Sequence, residues 1–146
     1  MVANRIEEYR RAASEAGFPP EAQRVALTRD ICIAETQAEA EQIMWQERVA
    51  TYEEQLVGFG FILDEQGRPL SELSRDLPVF DRILRSLIVG TPDRVITEIQ
   101  RYVPLGIDLF VARLLSAAFD PQQIRRWIKL FGREVIPHFR AGGRSQ

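Results

Sequence analysis

An arginine inside an otherwise apolar run is the most informative residue of this sequence. Arg113 lies within Ile107-Asp108-Leu109-Phe110-Val111-Ala112-Arg113-Leu114-Leu115, the clearest strand pattern in the chain. A guanidinium there has to reach a carboxylate, water or an anion, because an unpaired buried charge is costly. Two outcomes stay open: Arg113 faces a ligand pocket, or it pairs with a carboxylate such as Asp108 or Glu98. Scarcity bounds the other chemistries. His138 is the one histidine and Cys32 the one cysteine, which removes a histidine-based triad, a His/Cys metal cluster and an internal disulfide. His138 reads as a surface residue at the end of the last helix, where it complements the dipole. Cys32, mid-strand, reads as a small hydrophobe, and Trp45 and Trp127 as helix residues covering a sheet.

The elements that must position these residues follow from periodicity and caps. A first helix is predicted over Asn4 to Ala16, with Asn4 as cap, Glu7 completing a capping box, and Ile6, Tyr9, Ala13 and Ala16 as its apolar stripe. Gly17 and Pro19-Pro20 end it. Arg24 to Ala34 reads as a strand with small or apolar residues on both faces, the pattern of a strand buried on two sides. Thr36-Gln37-Ala38-Glu39 matches a capping box and opens a helix to about Leu56. An irregular stretch follows, then a short helix around Pro78 to Arg85 and the short strand Leu87-Ile88-Val89. Gly90-Thr91-Pro92-Asp93 starts another helix, with Thr91 as cap and Pro92 at its first position, burying Val95, Ile96, Ile99, Tyr102 and Val103. After the strand that holds Arg113, Asp120-Pro121 opens the last helix, whose apolar face is Ile124, Trp127, Ile128, Phe131 and Val135.

Strands that alternate with long helices predict an α/β fold with parallel strands. Residues 1–140 are expected to form one domain and 141–146 a flexible tail. Three β/α units are too few for an eight-stranded barrel, which needs roughly 250 residues. The net charge of −2 argues against a nucleic-acid binder. The arginines of the last helix read as a solvated face. No apolar stretch is long enough to span a membrane, and Met1 to Glu8 lack the apolar run of a secretory signal, so a cytoplasmic protein is expected.

Two junctions carry a family resemblance. Ile33-Ala34-Glu35-Thr36 followed by Gln37-Ala38-Glu39-Ala40 is similar to the strand-to-helix junction of luciferase-like monooxygenases, with Ala38 where an acidic residue is common. Leu87-Ile88-Val89-Gly90-Thr91-Pro92-Asp93-Arg94-Val95 resembles that family's Gly-Thr-Pro turn, and Phe131 to Pro137 resembles its closing segment. The resemblance implies roughly the last three β/α units of a (β/α)8 barrel, a C-terminal portion of an enzyme using FMN or the deazaflavin F420. In such a barrel ligands sit where strands run into the following loops. That selects Thr36, Gly90, Thr91, Arg113 and Ser116 as candidate cofactor-binding residues, with Thr36 and Thr91 also explained as plain helix caps. The strands that would supply most cofactor contacts are missing, so the chain alone is expected to be inactive. Its open sheet edges are expected to be met by a second copy or by a partner chain that supplies the missing strands.

Overall fold

The computed structural model describes residues 2–64, 66–71, 78–114 and 120–142. Helix α1 (Val2–Glu15) leads through a short 3-10 turn into strand β1 (Ala26–Ile33). Helix α2 (Gln37–Ile43) continues through a π-helical stretch (Met44–Val49) into α3 (Ala50–Gly58). Helix α4 (Pro78–Ser86), strand β2 (Ile88–Gly90), helix α5 (Pro92–Gln100) and strand β3 (Leu109–Arg113) follow. The last helical segment comprises α6 (Pro121–Leu130), a second π-helical stretch (Phe131–Val135) and α7 (Ile136–Gly142).

Most predicted ends hold for local reasons. Thr36 Oγ1 accepts the Glu39 N–H at 3.2 Å, and Asp120 Oδ1 accepts that of Gln122 at 3.1 Å, so both satisfy an orphan donor of a first turn. Gly17 takes φ +82° and closes α1 as its sequence position requires. Asn4 is a correction: α1 already includes Val2, so Asn4 lies within the helix and caps nothing. Thr91 stands at the start of α5 but its side chain makes no capping bond. Helix α5 also stops earlier than its apolar pattern, leaving Val103 59% exposed.

The three strands are parallel, in the order β2-β1-β3. β3 pairs with the first half of β1, from Ala26↔Leu109 to Asp30↔Arg113, and β2 with its last half, from Ile31↔Ile88 to Ile33↔Gly90. Asp108 fixes this register at its base. Its carboxylate accepts from the Val25 N–H at 2.9 Å and from Arg24 at 2.6 Å, and these bonds hold it below the usual carboxylate range.

Side chains alternate across a strand, so the sheet has two faces of different character. One carries Ile31, Ile33, Ile88, Phe110 and Ala112, packed with Val95, Ile99, Trp127, Leu130 and Val135 of the helices into the main core. The other carries Ala26, Thr28 and Asp30 of β1 beside Leu109, Val111 and Arg113 of β3. Leu109 is 57% and Val111 39% exposed there. The expectation of a strand buried on both sides therefore holds only for the C-terminal half of β1, from Asp30 onward. A second, smaller core joins Val49, Phe80 and Ile83 with Met44, Tyr52 and Leu56. Trp45 belongs to that region, stacked on Phe80 with ring centroids 6.2 Å apart, and does not cover the sheet core as expected.

Candidate functional site

At the C-terminal end of the open face stands a buried carboxylate. Asp30 is 3% exposed although it is an ionisable residue inside a strand, followed by the buried Ile31, Cys32 and Ile33. Register places Arg113 directly opposite on β3, and its guanidinium binds Asp30 side-on, Nε to Oδ1 and Nη2 to Oδ2, the latter at 2.7 Å. The Tyr52 hydroxyl donates to Asp30 Oδ2 at 2.5 Å and accepts from Arg113 Nη2 at 3.1 Å. Bonding to Asp30 raises the Arg113 pKa above its ordinary value, so the group is a permanent cation. Its side chain nevertheless remains 53% exposed.

The sequence left Arg113 between a ligand and the carboxylates Asp108 or Glu98. Its partner is neither of these; Asp108 pairs with Arg24 and Glu98 with Arg101. Asp30 and Tyr52 were missed because nothing local marks them. Tyr52 is brought to the sheet by the π-helical stretch before α3, whose wider turn shifts the facing of every later residue relative to a continuous α-helix. A polar residue at Asp30, inside the run that reads as a doubly buried strand, was the one signal available.

The other candidates are placed as follows. Thr36 is exposed, and its hydroxyl is used as the α2 cap. Gly90 ends β2, buried, at φ +153°; a Cβ there would lie 2.7 Å from Arg94 Cδ and 2.8 Å from Gln37 Oε1. Gly90→Ala is therefore expected to cost about 1–3 kcal/mol, mostly backbone strain, in urea unfolding of the purified chain. A change below about 0.5 kcal/mol, the range of ordinary surface substitutions, would show that the turn relaxes freely. Thr91 is half-buried beside it. Ser116 lies outside the described residues. His138 is exposed and bonded to Gln100 at 2.8 Å, and Cys32 is buried at 2% exposure, as their sequence positions implied. Among the described residues no group of three or more His, Cys, Asp or Glu side chains is placed to hold a metal, and no helix is long and apolar enough to cross a membrane.

The profile of luciferase-like monooxygenases matches residues 1–109, about three quarters of the chain. The chain belongs to the luciferase-like monooxygenase family. No curated protein sequence matches it. Among solved structures it resembles monooxygenase RslO1 from Streptomyces bottropensis, with a TM-score of 0.65 and 25% identity over 94% of this chain and 38% of that one. It also resembles the oxygenating constituent of 3,6-diketocamphane monooxygenase of Pseudomonas putida, solved with FMN, at TM-score 0.59 and 22% identity over 90% of this chain and 38% of that one. A long-chain alkane monooxygenase gives 0.57 and 21% over 99% and 35%. The chain thus spans between a third and two fifths of the length of these luciferase-like monooxygenases, and its three parallel strands with their helices are an α/β part of the family's barrel.

Proposed function

We propose that this chain is the C-terminal segment of a flavin- or F420-dependent oxidoreductase, inactive alone, whose open sheet face forms one wall of the cofactor and substrate pocket. The observation that carries this reading is the open face itself: small and apolar side chains, closed at the C-terminal end of the strands by an anchored arginine. A β/α barrel places its ligands at that end. The residues fit one side of a flavin. Arg113, at the C-terminal end of β3, offers a cation for an anionic group, and the small or apolar Ala26, Thr28, Leu109 and Val111 line the same face toward the strands' N-terminal ends. A bound reduced flavin would supply the electrons and the site of oxygen or hydride chemistry; the chain's own part is to bind, orient and exclude water on one side.

One wall is too little for tight binding, since ligand pockets cover most of their ligand. The purified chain is expected to quench FMN or F420 fluorescence saturably but weakly, with a Kd on the order of 0.1 mM, and to show no flavin-dependent turnover. Measurable turnover would overturn the claim of inactivity; the absence of saturable quenching by either cofactor would overturn the cofactor wall.

A second reading, a non-catalytic assembly module, is favoured by the outer edge of β3. Leu109 N–H bonds back to Val25, so by alternation the N–H and C=O groups of Phe110 and Ala112 point away from β1. Among the described residues no hydrogen bond meets them. Such an edge recruits a strand, from a second copy or from a chain carrying the missing strands, and light scattering of the isolated chain separates a dimer from a monomer awaiting its complement.

A further inference from the structure

We propose that Arg113, held by Asp30 and Tyr52, is an oxyanion receptor: it takes a carboxylate or phosphate group of the molecule bound on the open sheet face. The proposal rests on the reading of that face as a ligand wall and names the chemistry at its charged end.

Folding alone gives little reason for this ion pair. Burying a carboxylate costs several times what an exposed pair returns, and apolar residues of similar volume commonly serve as well or better. The nearest residues along the two strands are apolar but for one, with Ile31, Cys32 and Ile33 following Asp30 and Val111 and Ala112 preceding Arg113, while Arg29 before Asp30 lies on the opposite face of the sheet. The pair does achieve orientation. Asp30 engages one edge of the guanidinium through Nε and Nη2, and Tyr52 takes a further bond from Nη2. Three bonds to two anchored groups define the guanidinium plane, so the long side chain cannot swing.

The two N–H groups of Nη1 have no acceptor among the described residues, on a side chain 53% exposed. A donor pair fixed in advance loses little freedom on binding, and its geometry suits an oxygen of a carboxylate or phosphate. Asp30 offsets the charge of Arg113, so recognition is by contact and direction and not by a long-range field. That makes the site selective for oxyanions that hydrogen-bond over a diffuse anion such as chloride.

The test is NMR of the 15N-labelled full chain, following the Arg113 Nε–H resonance while inorganic phosphate or acetate is added at constant ionic strength set with sodium chloride. A saturable shift with a Kd on the order of millimolar is expected for at least one of the two, and none for chloride. Tighter phosphate binding assigns a phosphate-bearing ligand, tighter acetate binding a carboxylate. Arg113→Lys keeps the charge but loses the fork, and is expected to weaken the binding about tenfold, seen in the shifts of neighbouring amides. Absence of saturation up to about 50 mM, or equal binding by the lysine variant, overturns the proposal. The flavin reading fails separately: FMN bound equally by wild type and Arg113→Lys, with no oxyanion effect at Arg113, removes this inference and leaves that reading standing. Oxyanion binding without FMN binding does the reverse.

Discussion

Replacing Arg113 with methionine is expected to cost about 3 kcal/mol of folding free energy, the lower end of the range for breaking a buried pair. The arginine itself is half-exposed and its own Coulomb attraction is partly screened. The cost comes from what stays behind: the Asp30 carboxylate, with 2% of its side chain exposed, loses the two charge-assisted bonds from Arg113. Changing both partners, Asp30→Asn with Arg113→Met, removes the buried charge and is expected to recover a large part of the loss. Urea denaturation of the two single variants and the double variant gives the coupling directly. Arg113→Met losing less than about 1 kcal/mol would mean that Asp30 is hydrated or otherwise satisfied in solution. No pH window opens from the arginine. A cation whose pKa is raised on folding stabilises fully below its unfolded value, already far above the neutral range, and its contribution fades only in strong alkali.

The two tryptophans separate the two cores. Trp127 is 5% exposed in the main core, against the covered face of the sheet. Trp127→Ala is expected to cost about 3–5 kcal/mol, enough to unfold much of the population of a marginally stable chain. Trp45, stacked on Phe80 and 40% exposed, is expected to cost less when replaced by alanine, about 1.5–2.5 kcal/mol, because two fifths of its surface already faces water. Thermal unfolding followed by far-UV circular dichroism measures both. Equal losses would show that the cluster of Val49, Phe80 and Ile83 and the sheet core unfold as one unit in solution.

Much of the fold was legible because short-range chemistry wrote it. Thr36 and Asp120 accept first-turn N–H groups from two or three residues away, Gly17 adopts a backbone conformation that suits glycine, and Pro92 and Pro121 stand at helix starts. The alternation of strands and helices gave the α/β class, and the two junctions around Ala34 and Gly90 gave the family. Where local signals misled, neighbouring structure had changed the context: α1 begins before Asn4, and the apolar pattern of α5 runs past the point where the helix stops.

The site belongs to the tertiary structure. Asp30 and Arg113 are 83 residues apart and meet because two parallel strands pair in one register, anchored by Asp108 on Val25. A shift of one residue would turn Arg113 to the opposite face. Tyr52 reaches the pair because a π-helical stretch resets the facing of α3, a change that side-chain periodicity does not announce. Which face of the sheet stayed open was likewise decided by packing: α5 and α6 cover the side of Ile31 and Phe110, leaving Leu109 and Val111 exposed beside the arginine. Sequence alone determines what each segment does with its near neighbours, since those energies act over a few residues. The meeting of distant charges depends on strand register and helix facing, which only the assembled core selects.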